Sequence, residues 1–386
     1  MAQKSDNMGP RTHTVTDSST VLDRRSVLKG GAAMASALTL AGCSGGDTTT
    51  EPGGGDGGGG GETTNIAIVS SSAGFGDQAF NTLAVQGLET AAEEYDISLN
   101  QVEETSPSNY QSVQSNLASS TNPSYDVIVL VGYQHKPALQ TNAEEYPGQQ
   151  WMIINDHVEQ PNVAGYVWAN HEMSFLAGVM AGTMTTRDFS YEGNSTDPDS
   201  AQVGFVGGVD GPLINAFERA YKAGVGWVNE ETDVSVGYIG NYQDTQKATN
   251  IASSQYDSGA DIVYQAAAAA GQGVFPAAQS ASRFAIGVDA DQSKTLPEYQ
   301  DVIMGSAVKF INEGTREVAQ AVVEDDFDSV SGRNVLGVAE DGVALVKGQA
   351  IGSELPDVVD QNLEEARQAI ANGDINVPCT AAGCQD

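Results

Sequence analysis

Asp126-Val127-Ile128-Val129-Leu130-Val131 runs through five consecutive apolar residues with no polar alternation. A strand with one wet face alternates. An unbroken β-branched run of this length fits a strand covered on both sides, the situation of a parallel sheet with helices on each face. The pattern repeats outward from this point. Upstream, residues 65–70 form a second β-branched run, followed by a helical period over 78–95 with Phe80, Leu83, Ala84, Gly87, Leu88 and Ala91 on one face. A weaker strand over 97–102 and a helix over 109–117 come next. Downstream lie a helix over 137–146, strands over 151–154 and 163–167, and a helix over 172–185. Residues 187–200 are a polar loop, and it contains the sequon Asn194-Ser195-Thr196, a candidate glycan site if exposed. The alternation then restarts, with strands predicted over 202–206, 234–239, 261–264 and 284–288, and helices over 212–229, 244–258 and 271–280.

Two β-α-β-α-β blocks imply an α/β protein of two doubly wound parallel-sheet lobes, joined by a multi-strand hinge. The expected N-terminal lobe is 65–186 plus 302–326, and the C-terminal lobe is 200–290 plus 333–350. Residues 351–386 supply a final helix and tail. Open α/β sheets bind small molecules beyond the carboxyl ends of their strands, so candidate site residues belong in the loops that follow strands. Those loops carry Asp77, Phe80 and Asn81 after the first strand, and Asp156 after the strand at 151–154. In the second block they carry Phe217, Gly271, Asp289 and Lys309. Each has a plainer alternative. Asp77 suits a helix cap, Asp156 a turn, the two Phe a core and Lys309 a surface charge.

The first 64 residues read as address and tether. Arg24-Arg25-Ser26-Val27-Leu28-Lys29 precedes an apolar run over 30–42, shorter than the roughly 20 residues a membrane span needs. A basic patch before a short apolar stretch is an export signal, here of twin-arginine type, over 1–43. Leu40-Ala41-Gly42-Cys43 resembles a lipobox, which implies lipid attachment at Cys43 and a cell-membrane protein facing outward. Residues 44–64 are dominated by Gly, Thr, Asp and Glu and bury too little to offset ordering entropy, so they form a flexible tether.

The net charge is −34, from 17 Lys and Arg against 51 Asp and Glu. Such a surface repels nucleic acid and anionic lipid, so neither is an expected partner. It suits either an acidic secreted protein or one adapted to molar salt, of haloarchaeal type, where the Debye length falls to about 3 Å. Cys379 and Cys384 could close a small disulfide. Neither the three Cys nor the four scattered His show metal-ligand spacing. No metal and no cofactor are expected.

Five motifs in order carry a specific resemblance. They are Gly76-Asp77-Gln78-Ala79-Phe80-Asn81; Glu172-Met173-Ser174-Phe175-Leu176-Ala177-Gly178; Val203-Gly204-Phe205-Val206-Gly207-Gly208 with Pro212-Leu213-Ile214 and Phe217; Ile286-Gly287-Val288-Asp289-Ala290-Asp291-Gln292; and Lys309. From Asn65 to Val346 the chain resembles the basic membrane lipoproteins (the PnrA-like group). These are substrate-binding lipoproteins of ABC importers for purine nucleosides, with a type I periplasmic-binding-protein fold. The resemblance implies that Phe80 and Phe217 stack on the base, and that Asn81 and Asp156 bond its edge. Asp289 would grip the ribose diol, Lys309 the sugar oxygens or Asp289 itself, and Gly271 would admit close backbone approach. It implies a monomer that closes on its ligand and docks on ABC permease subunits, held to the membrane by lipid alone. The chain departs from the pattern at Gln78-Ala79 and at Ala266–Ala270, where the family has a Gly-rich loop. A sugar binder or a ligand-sensing lipoprotein of the same fold is the alternative.

Enzyme readings fare worse. No Gly-x-Gly-x-x-Gly follows the first strand, and no Walker A loop is present. Ser306-Ala307-Val308-Lys309 matches Ser-x-x-Lys, but so does Ser26-Val27-Leu28-Lys29 in the export signal, and the partner motifs are missing.

Overall fold

The computed structural model describes residues 63–380; the export signal, Cys43, the tether up to residue 62 and Cys384 lie outside them. The described chain alternates strand and helix as the apolar runs predict. The first half holds β1 (Thr64–Val69), α1 (Phe80–Glu94), β2 (Ile97–Val102), α2 (Tyr110–Ala118), β3 (Val127–Val131), α3 (Lys136–Glu145), β4 (Gln150–Ile154) and β5 (Val163–Trp168). After α4 (Asn170–Thr185) and a small hairpin, β6 (Ser190–Tyr191) and β7 (Asn194–Ser195), the second series begins. It holds β8 (Gln202–Gly207), α5 (Pro212–Val228), β9 (Asp233–Tyr238), α6 (Thr245–Asp257), β10 (Ile262–Ala266), α7 (Ala268–Gly271), α8 (Val274–Ala281), β11 (Phe284–Asp289), α9 (Gln292–Thr295) and β12 (Ile303–Lys309). The chain continues through α10 (Ile311–Val323), β13 (Gly332–Leu336), β14 (Val343–Lys347) and α11 (Asp357–Ala371).

Two six-stranded sheets result, in the orders β13-β5-β4-β3-β1-β2 and β14-β12-β11-β10-β8-β9. All their pairings are parallel except β12 with β14. Every residue of β3, β5, β11 and β12 is buried, as strands covered on both faces must be.

Lobe membership differs from the expected division in three places. The helix at 172–185, α4, packs on α5, α11 and β12, and so belongs to the second lobe. A Cβ on Gly178 would collide with the Tyr221 carbonyl, and one on Gly224 with the Phe175 carbonyl. The paired glycines thus let the α4 and α5 backbones touch. Residues 303–309 form an interior strand of the second sheet, paired with β11 and β14. Its seven buried residues need cover on both faces, which a crossing segment would lack. Residues 332–336 are half-exposed and take the edge of the first sheet beside β5. α10, which packs on α1, and β14, which pairs with β12 in the second sheet, sit in the lobes expected of them. The chain therefore crosses between lobes after β5, after β12 and after β13. These three crossings are the strands of the hinge between the lobes.

The hairpin at 190–195 also corrects an expectation. Asn194 is buried and its Nδ2 donates to the Asp301 carbonyl at 3.0 Å, so the sequon offers no free amide to a glycan. Cys379 is disulfide-bonded, its partner lying outside the described residues.

Candidate ligand site between the lobes

The carboxyl ends of both sheets face one cavity lined by residues of both lobes. The N-terminal lobe contributes Ser71 and Ala73 after β1, Phe80 of α1, Gly132, Tyr133 and Gln134 after β3, and Asn155 after β4. The C-terminal lobe contributes Leu213, Ile214 and Phe217 of α5, Tyr242 after β9, Ala266–Ala268 at the end of β10, Val288 and Asp289 of β11, and Lys309 of β12. Gly208 makes room for the Tyr242 ring, with which a Cβ would clash.

Four of the residues singled out in the sequence meet here. The Lys309 ammonium lies 4.7 Å from the Phe80 ring centroid and 5.6 Å from that of Phe217, one ring from each lobe. Its Nζ stands 2.8 Å from Asp289 Oδ1, and both side chains are almost wholly buried. A carboxylate oxygen accepts more than one donor, so Oδ1 can take another beside the ammonium. Asp289 has φ +68°, a left-handed backbone at the tip of its strand. Such strain is tolerated where surrounding structure enforces it, and it gathers at ligand sites.

The remaining predicted residues go elsewhere. Asp77 is buried beneath the cavity wall. Its carboxylate accepts from the backbone N–H groups of Ala79, Asn81 and Thr82, and from the side chains of Asn81 and Thr82. Burial still pushes its carboxyl above the usual carboxylate range, against the lowering by those bonds. Asn81 is equally committed, accepting from Ser71 N at 2.8 Å and donating to Ser71 Oγ and Asp77 Oδ2. Neither lines the cavity. Together they brace the 71–79 loop and the first turn of α1, the capping alternative for Asp77.

Asp156 lines an adjoining recess with Pro212 and Thr380, where Oδ1 accepts from Lys136 Nζ and from His157 N, each at 2.8 Å. Gly271 makes room for the Gln265 side chain, with which a Cβ would collide, and does not border the cavity. The backbone that does approach is Ala266–Ala268, Ala268 having φ +48°.

Asn155 escaped the sequence reading. It lies in the left-handed region at φ +65°, buried, with Oδ1 lacking any hydrogen-bond partner. Asn is the residue type that tolerates this conformation, and its place directly after an apolar strand was the available signal.

Three contacts span the cleft beside the cavity. Gln243 Nε2 donates to the Ser72 carbonyl at 2.6 Å, Gln272 Nε2 to the Asp77 carbonyl at 3.0 Å, and Thr295 Oγ1 to the Gln78 carbonyl at 3.1 Å.

The Ser306–Lys309 motif is split by its strand. Positions three apart on β12 point to opposite faces, and Ser306 Oγ accepts from Gln292 N, away from the Lys309 ammonium. Among the described residues no three His, Cys, Asp or Glu cluster as metal ligands, and no helix is long and apolar enough to cross a membrane.

Comparison with known proteins places this geometry. Residues 64–381 match the family described as "ABC transporter substrate-binding protein PnrA-like". The CD4+ T-cell-stimulating antigen of Listeria monocytogenes is 30% identical over 332 residues, covering 81% of this chain and 87% of that protein. The ABC transporter nucleoside-binding protein BmpA of Lactococcus lactis is 27% identical over 379 residues, 92% of this chain and 99% of that one. Among solved structures, an ABC transporter solute-binding protein from Aeropyrum pernix superposes with a TM-score of 0.71 at 23% identity, covering 82% of this chain and 94% of that one. At that identity the likeness speaks for the fold.

Proposed function

The chain belongs to the family of PnrA-like ABC transporter substrate-binding proteins, and from that premise we propose that it captures a purine nucleoside between its lobes and carries it to a permease. The family is one of binding proteins, not enzymes. The observation that carries the nucleoside reading is the pair of Phe rings, Phe80 and Phe217, reaching one cavity from opposite lobes above the Asp289–Lys309 ion pair. A purine has two apolar faces, and base–aromatic stacking contributes roughly 1–3 kcal/mol per base. A ribose presents two adjacent hydroxyls, which one carboxylate accepts together, and the Asp289 carboxylate borders the cavity. Asn155 supplies an amide for the base edge, the task that Asn81 is too committed to perform.

Ligand bridging the lobes favours the closed arrangement about the three-strand hinge, and closure builds the composite face that a permease reads. The reading extends to the termini: twin-arginine export, lipid attachment at Cys43 and a tether up to residue 64 would hold the domain at the outer membrane face. The opposite-lobe aromatics favour a flat two-faced ligand over a sugar.

The test is calorimetry and thermal shift in high salt with adenosine, guanosine, inosine, uridine, free bases, ribose and hexoses. Purine nucleosides should stabilise the protein by about 2.7 kcal/mol at 100 times Kd, with free base and ribose well behind. A clear shift from a sugar and none from any nucleoside would overturn the proposal.

A further inference from the structure

The three cross-cleft hydrogen bonds have a common design. Every acceptor is a backbone carbonyl of one N-terminal loop, at Ser72, Asp77 and Gln78. The donors come from three separate segments of the C-terminal lobe: Gln243 before α6, Gln272 between α7 and α8, and Thr295 at the end of α9. Such donors meet one loop together only when the lobe moves as a body. The loop is made rigid beforehand, its carbonyls fixed by the Asp77 and Asn81 network and by Gln78 at φ +53°. None of the three donors lines the ligand cavity.

We propose that Gln243, Gln272 and Thr295 are positioning residues that latch the lobes shut, setting ligand affinity through the closed fraction and not through ligand contact. All six groups are neutral. Molar salt, which screens ion pairs within about 3 Å, leaves such bonds intact, and a chain of net charge −34 gains a closing force that adds no charge to either lobe. Apparent Kd equals intrinsic Kd divided by the closing-competent fraction, so opening the latch weakens every ligand by one factor.

The experiment compares Gln243→Ala, Gln272→Ala, Thr295→Ala and the triple variant with wild type in high salt. It measures adenosine, guanosine and inosine affinity by calorimetry, and the radius of gyration without ligand by small-angle scattering. Each single variant should weaken all three nucleosides equally, by about 2- to 10-fold, with their rank order unchanged. The triple variant should multiply the effects and scatter as a more open particle, while Thr295→Ser, which keeps the hydroxyl, retains wild-type affinity. Unchanged affinity, a changed order of the nucleosides, or a triple variant as compact as wild type overturns the latch. If wild type binds no nucleoside, the functional reading fails while the scattering still decides the latch.

Discussion

Removing the charge of Lys309 should damage the fold, and removing Asp289 with it should repair the fold without restoring binding. In Lys309→Met the Asp289 carboxylate, 8% exposed in its side chain, loses the cation 2.8 Å away. Stripping one partner from a buried pair costs about 3–5 kcal/mol. A loss of about 3–5 kcal/mol is therefore expected in denaturant unfolding of the unliganded protein. The double variant Asp289→Asn, Lys309→Met buries no charge and should lie within about 1 kcal/mol of wild type. Binding follows a different rule. The double variant, lacking the Asp289 carboxylate, forfeits a charged acceptor for the ribose diol, about 1.5–3 kcal/mol or 10- to 150-fold in Kd by calorimetry. A double variant as unstable as Lys309→Met would show that the ion pair is not the source of the loss. A double variant with wild-type nucleoside affinity would remove Asp289 from the site.

Four further outcomes follow. Phe80→Ala and Phe217→Ala should each lower purine nucleoside affinity by roughly 1–3 kcal/mol and ribose affinity far less, measured by calorimetry. Asn155→Gly relaxes a left-handed backbone but loosens the unfolded chain, so it should leave the unliganded fold within about 1 kcal/mol of wild type while weakening nucleoside binding at least tenfold. Asp261, its carboxyl pushed up to about 6 by burial, binds protons more tightly folded than unfolded, so its stabilising contribution is complete below about pH 4 and disappears as pH rises through 6. Asp261→Asn should therefore gain on wild type by up to about 3 kcal/mol between those values in unfolding titrations, with no difference at pH 3. Cys43→Ala should move the protein from the membrane fraction to the medium when cells are fractionated.

The strand inventory was open to reading because coverage on both faces writes itself locally as an unbroken β-branched run. Sheet membership was not. Residues 303–309 and 332–336 are both short strands late in the chain, and only their partners decide that the first enters the second sheet and the second edges the first. The same holds for α4, whose place depends on Gly178 meeting Gly224 on another helix. Local pattern reports burial; it does not report against what.

The candidate site divides along a related line, the hydrogen-bonding capacity a side chain has left once the fold has used it. Asn81 offers two N–H groups and one oxygen, and Ser71 and Asp77 take both donors while Ser71 N takes the acceptor. Asp77 receives five donors from its own loop and helix. Both sit in a motif that resembles a ligand-binding stretch, yet a ligand would have to break existing bonds to use them. Asn155 Oδ1 is buried with no hydrogen bond, while Asp289 Oδ1 has only the Lys309 ammonium beside it, at 2.8 Å. A buried polar atom left unsatisfied costs about 1–3 kcal/mol, which a ligand donor would return to Asn155 on binding. That difference makes Asn155 and Asp289 the candidates for ligand recognition, and Asp77 and Asn81 the scaffold of their own loop.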